Sequence, residues 1–222
     1  MKRTLAAPST WSGAFAAVFA GLLFPPGQAM AQATWEQNFD TGRAHLLAGR
    51  YPETEESLKE ALRQAEKFAA TDDRLADTLN ELGMCMQRQA KNREAEDYLQ
   101  RSLAQSKGVN RAIVLNNLAV VELDQAMMAK ADKLFAEATE VLEQAGKKKE
   151  LAMTLDNIGT TLLLRGHGTK ALPYYQGAEK LWEELAWNEV NAPIVKANLG
   201  TLYLAWGKTE KAENYDRQAI AL

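Results

Sequence analysis

The chain has 222 residues, of which 46% are apolar, and carries a formal net charge of −3 with a mean hydropathy of −0.35. This is enough for one sizeable domain or a short array and too little for several large ones. The mildly acidic balance argues against a protein that grips DNA or RNA through a basic face, and the modest glycine and proline content argues against a collagen-like chain or a disordered tail.

The first thirty residues read as a leader. Lys2 and Arg3 give a basic start, an apolar run follows from Trp11 to Phe24, and Pro25-Pro26-Gly27 stops it. That run is shorter than the roughly 20 residues a bilayer needs. Ala29-Met30-Ala31 then offers the small residues a signal peptidase reads. Residues 1–31 are therefore expected to be a cleavable secretory signal, and 32–222 the mature protein, with a cut after Ala33 as the other reading. No cysteine lies near the cut and no Arg-Arg pair precedes it, which favours the general export route, and the expected location is periplasmic or secreted. Cleavage shifts the net charge to −5, because Lys2 and Arg3 are the only charged residues removed.

Five helical units follow, near residues 35–68, 76–109, 112–145, 152–185 and 193–222. The first carries Thr41-Gly42, a turn at Gly49, Tyr51-Pro52 opening a second helix, then Thr54 and Ala61. The second has a helix-period stripe of Leu75, Leu79, Leu82 and Met86, with Leu82-Gly83, Ala90, Ala95, Leu99 and Ser102 at the same offsets. The third repeats the pattern as Leu118-Ala119, Ala126, Ala131, Phe135 and Ala138. The fourth gives Ile158-Gly159, Gly166, Ala171, Tyr175 and Ala178, and Thr169 is the expected N-cap ahead of Pro173. The fifth opens at Pro193 and shows Leu199-Gly200, Gly207, Ala212 and Ala219. The small residues 42, 83, 119, 159 and 200 are spaced by 41, 36, 40 and 41. Their physical role is to let two antiparallel helices cross closely, while Leu99, Phe135 and Tyr175 are expected to fill the gap to the next repeat. No window alternates as a strand would.

An aliphatic-small pair, then an alanine, an aromatic and a second small residue resembles the tetratricopeptide repeat. The 40-residue spacing is similar to the longer-repeat subclass seen in kinesin light chains and many bacterial adaptors. Thr41 and Asp216 depart from the pattern in the end copies, as expected of caps. The resemblance implies an all-α fold: a right-handed superhelix of antiparallel helix pairs, about five repeats long. It also implies a concave face lined by the first helix of each pair.

On that face, the residue two before each small landmark reads Asp40, Glu81, Asn117, Asn157 and Asn198. The residue before it reads Phe39, Asn80, Asn116, Asp156 and Ala197. Asp40, Asn80, Glu81, Asn116, Asn117, Asp156, Asn157 and Asn198 are the candidate partner-binding residues. Two roles are open to the amides: bonding an extended peptide backbone through both donors and acceptors, or bonding neighbouring helices. The same columns lack the lysines of the carboxylate-clamp subfamily. The late aromatics, Tyr174, Tyr175, Trp182, Trp187, Tyr203, Trp206 and Tyr215, are expected to pack rather than bind.

Nothing in the chain assembles catalysis. His45, His167 and Cys85 sit in different repeats and do not supply a zinc set. Gly166-His167-Gly168-Thr169-Lys170 lacks the glycine spacing and strand of a phosphate loop. Lys147-Lys148-Lys149 reads as a solvated inter-repeat loop. Neither a metal nor another cofactor is expected. The expected function is an exported interaction scaffold for a protein or peptide, with no nucleic acid and no membrane span in the mature chain. The alternatives are self-assembly through an uncapped C-terminal end and, less favoured, an enzyme on a helical body.

Overall fold

The described residues, 26–69, 71–186 and 192–221 of a computed structural model, form ten helices and no strand. They pair as α1 (Pro26–Leu47) with α2 (Tyr51–Ala65), α3 (Arg74–Arg88) with α4 (Asn92–Gln105), and α5 (Gly108–Asp124) with α6 (Met128–Gln144). The last two pairs are α7 (Lys148–Leu164) with α8 (Gly168–Glu184) and α9 (Ala192–Ala205) with α10 (Thr209–Ala221). Residues 1–25, most of the expected leader, and Trp187 lie outside the described residues; the backbone of 26–31 opens α1. No helix among the described residues is long and apolar enough to cross a membrane.

Each pair turns at its expected small residue. Gly49, Ala90, Ala126, Gly166 and Gly207 all have left-handed φ, between 58° at Ala90 and 76° at Gly166. In each turn two crossed hydrogen bonds close the helix, as with Lys91 N to Met86 O at 2.9 Å and Ala90 N to Gln87 O at 2.9 Å. This end motif needs one left-handed residue, which glycine adopts freely and alanine only at a cost.

The small column then sets how closely the two helices approach. A Cβ on Gly42 would lie 2.6 Å from Leu58, on Gly83 2.6 Å from Leu99, and on Gly159 2.7 Å from Tyr175. Leu58, Leu99 and Tyr175 are fully buried. The large residues press on the small residue of their own pair and also fill the gap to the next repeat as expected: Leu99 is buried in one cluster with Val114 and Leu118, and Tyr175 in one with Val195 and Leu199. The two departures from alanine keep their hydroxyls bonded: Thr54 donates to Arg50 O at 2.8 Å, and Ser102 to Ala76 O at 2.7 Å.

Two local expectations fail. α8 begins at Gly168 with His167 as its N-cap, so Thr169 lies inside the helix and Pro173 interrupts its interior. Gly168 starts the helix in the common register, nine residues after the small landmark, like Tyr51, Asn92, Met128 and Thr209, and it lies tight against the next pair, where a Cβ would sit 3.0 Å from Leu202. Lys147-Lys148-Lys149 is not a loop: Gly146, at φ 63°, makes the turn and the lysines open α7, with Lys148 paired to Glu184 at 2.9 Å.

Consecutive pairs stack through an apolar seam. Tyr175, Trp182, Leu199 and Leu202 are buried together, and Tyr215 stacks on Tyr203 at 5.5 Å. Trp206 packs beside them, whereas Tyr174 is partly exposed. Cys85 is fully buried, which pushes its thiol pKa up. First helices of neighbouring pairs also touch one another, whereas among the described residues no comparable contact joins neighbouring second helices. A stack held closer on one side curves, so the first helices line the concave face.

Candidate functional site

The asparagine columns meet across the joints between first helices. Asn117 Nδ2 donates to Asn80 Oδ1 at 2.9 Å, Asn116 Nδ2 to Asn117 Oδ1 at 3.3 Å, and Asn157 Nδ2 to Asn116 Oδ1 at 3.0 Å. This relay ties α3, α5 and α7 together. The next joint continues with a carboxylate: Asn198 Nδ2 donates to both oxygens of Asp156 at 2.9 Å and reaches Thr160 Oγ1 at 3.4 Å. Tyr175 donates to the same Thr160 oxygen from behind, at 3.2 Å. Asn80, Asn116 and Asp156 are buried; Asn117, Asn157 and Asn198 are half-buried. Burial pushes the Asp156 carboxyl up to about 6, against the lowering effect of Asn198.

The amides therefore join neighbouring helices, and the inner column keeps capacity to spare. An amide has two N–H donors and two acceptor lone pairs. Asn117 uses one of each in the relay. Asn157 donates once, and its Oδ1 makes no hydrogen bond among the described residues.

The joint between the first two pairs is built differently. Trp35 Nε1 donates to Thr78 Oγ1 at 3.0 Å and its ring stacks on Phe39 at 4.6 Å. Arg74 lies over Phe68 at 3.5 Å and is paired with Asp72. Glu81 faces Arg43 at 3.5 Å. Burial raises the Glu81 pKa, partly offset by Arg43. Burial also raises that of Asp77, and Asp73 adds to it. Asp40 is exposed and makes no hydrogen bond or ion pair among the described residues. The structure thus brings Asn80, Asn116, Asn117 and Asn157 into one network and Asp156 with Asn198 into another, while Glu81 and Asp40 stay apart from both.

Beside the relay runs an open groove of about 380 Å³. Asn116, Asn117, Asp156 and Asn157 line it together with aliphatic and thioether side chains, Met84, Val120, Met153 and Ile194. Sequence reasoning missed these apolar walls. The signal was present: Met84 and Val120 lie three residues after the Glu81–Asn117 column, and Met153 and Ile194 four before Asn157 and Asn198, on the same helix face. A second cleft, of about 580 Å³, lies where α6 meets α7 and α8. It contains none of the column residues, and Arg165 in its wall is paired with Asp132 at 3.0 Å.

Among the described residues no group of three or more His, Cys, Asp or Glu is placed to hold a metal ion. Glu122, buried in α5, pairs with Lys130, which also reaches Glu96 at 3.0 Å and so links α4 to α6. Lys196 pairs with Glu179 at 2.6 Å in the last joint. These ion pairs hold neighbouring helix pairs together.

The arrangement is shared with solved structures. BtubC from P. vanneervenii matches at 18% identity with a TM-score of 0.65, over 87% of this chain and 88% of its own. A Rap protein complexed with competence and sporulation factor matches at 17% identity and TM-score 0.76, over 92% of this chain and 60% of its own. The Rap conjugation regulator of plasmid pLS20, in complex with the Phr* peptide, matches at 12% identity and TM-score 0.76, over 90% of this chain. This chain spans 56% of that regulator's length. At these identities the likeness concerns the fold. No curated protein sequence matches significantly. The sequence profile of the tetratricopeptide repeat matches residues 38–107 and 110–184, well over half of the chain. With the recurring small column and the stacked helix pairs that match spans, the chain belongs to the tetratricopeptide repeat family.

Proposed function

We propose that this chain is an exported scaffold that holds an extended segment of a partner protein in its concave groove. The observation that carries the reading is the amide relay. It stiffens the inner face and leaves amide donors and acceptors of Asn117 and Asn157 beside an apolar wall. An extended backbone needs one donor and one acceptor per residue, which an amide supplies with little regard to side chain. The two Rap structures, solved in complex with the Phr* peptide and with competence and sporulation factor, support an interaction role for such an array. Export rests on the basic start, the apolar run and the small residues at 29–31.

Two experiments test this reading. Affinity capture from the exported fraction is expected to recover a specific protein with the wild type and lose it with Asn117→Ala/Asn157→Ala/Asn198→Ala, provided the variant keeps its helical circular dichroism. Equal recovery by both would remove the groove. The N-terminus of protein from the exported fraction is expected at Gln32 or Thr34, and an intact Met1 found only in the cytoplasm would remove export. A second reading, self-association, is favoured by Leu204 and Ile220, which are 60% and 86% exposed on the last described pair. Light scattering that shows mass rising with concentration, and not after Leu204→Ser/Ile220→Ser, would support it.

A further inference from the structure

The concave face changes chemistry along its length. On the first two pairs its positions are carboxylates: Glu36 and Asp40 on α1, Asp77 and Glu81 on α3. The equivalent positions on the following pairs are Ile113, Asn117, Met153, Asn157, Ile194 and Asn198. Within the charged end, among the described residues, Arg43 is the one cation that counts against Asp77 and Glu81, and it pairs with Glu81 from a largely exposed side chain. Arg74, the other nearby cation, is held by Asp72 and by the Phe68 and Trp35 rings. Asp77 has no ion-pair partner among the described residues, and its own neighbours Asp73 and Asp72 are acidic. The concave face therefore has an under-neutralised acidic end on α1 and α3; beyond it lies the groove with its aliphatic walls and amide floor, whose lining includes Arg88 and none of Glu36, Asp40, Asp77 and Glu81.

Resting on the groove reading above, we infer that the occupant is an extended peptide with a lysine or arginine over Asp77 and Glu81. Aliphatic side chains follow along Val120, Met153 and Ile194 on the next three first helices. A cation there meets two half-buried carboxylates and can displace the exposed Arg43, giving a charge-assisted hydrogen bond in place of a weak one. The spacing follows from geometry. Packed helices lie about 8–10 Å apart, and an extended or polyproline-type chain rises about 3.1–3.4 Å per residue. One helix pair therefore corresponds to about three peptide residues, so the basic residue stands about three ahead of the first aliphatic one, and aliphatic residues recur about every three.

A displayed library of random decapeptides, selected on the full mature chain, tests this. Enriched sequences are expected to carry Lys or Arg about three residues from the first of two or more spaced aliphatic residues. A fluorescein-labelled peptide of the enriched sequence is then titrated by anisotropy. Asp77→Asn/Glu81→Gln, close in size to the wild type, is expected to weaken it about tenfold, the scale of one lost charge-assisted contact. The loss should shrink when the salt is raised to screen the charges. Replacing the peptide's basic residue by glutamine should weaken wild-type binding by the same factor and leave the variant unchanged. Enriched peptides that lack a basic position, or bind the double variant as tightly, while still failing on Asn117→Ala/Asn157→Ala, would overturn the acidic-end assignment and leave the groove standing. Peptides bound equally by the amide variant, or no enrichment at all, would overturn both.

Discussion

Replacing Asp156 by asparagine should stabilise the protein at neutral pH and do little in acid. Asp156 is buried at the joint between α7 and α9, and among the described residues its only hydrogen-bond donor there is the neutral amide of Asn198 and no cation acts on it. Its carboxyl is pushed up to about 6 from 3.8. The folded state therefore holds this proton more tightly than the unfolded chain. The cost of ionising it is absent below the unfolded value, grows as pH rises between the two values, and is complete above the folded one. At 1.36 kcal/mol per unit the ceiling is about 3 kcal/mol. Asparagine removes the charge and keeps one acceptor for Asn198 but loses the second, a loss of about 1 kcal/mol. A net gain of about 2 kcal/mol is expected at pH 7.5, falling close to zero or below by pH 4. Urea denaturation of both proteins across that range measures it. A gain independent of pH, or a loss at pH 7.5, would refute the claim that an uncompensated carboxylate sits in this joint.

Three further outcomes follow from the packing. Gly83→Ala places a methyl 2.6 Å from the fully buried Leu99 side chain and 3.3 Å from Ala95 O; overpacking of about 1–3 kcal/mol outweighs the roughly 1 kcal/mol of helix propensity gained, so the midpoint should fall. Ala90→Gly and Ala126→Gly relieve left-handed alanines and should each raise stability by about 0.5–1 kcal/mol in thermal melts, whereas Gly166→Ala should lower it by about 1 kcal/mol. Asn116→Ala removes a buried relay member and leaves the partner amides of Asn117 and Asn157 short of a bond, so about 1–3 kcal/mol should be lost in urea.

The helix pairs were legible because every repeat solves the same steric problem with the same residues. Gly83 must be small because Leu99 presses on it, and Gly49 must turn left because two crossed hydrogen bonds require it. The candidate column was legible for the same reason: register carries Asn117, Asn157 and Asn198 to equivalent places. What the amides bond to was not, since the donor and acceptor pairing across a joint depends on how two pairs stack. Asp156 illustrates this, because only the stacked structure shows Asn198 as its neighbour with no cation nearby among the described residues. The start of α8 was misread because the rule that proline opens a helix is local, whereas the left-handed turn at Gly166 starts that helix at Gly168, in the same register as the other second helices. Lys147 to Lys149 were misread because the charge pattern of a loop and of an exposed first helical turn is the same.

The central claim is that an extended partner segment lies in the concave groove, and methionine methyl NMR tests it most directly. Met84 and Met153 line that groove, whereas Met127 and Met128 sit at the turn into α6 and line no part of it. On titration with the partner segment recovered by capture, the account predicts that the Met84 and Met153 methyl signals shift while those of Met127 and Met128 stay in place. Shifts at Met127 and Met128, with Met84 and Met153 unmoved, would place the partner on another face and contradict it.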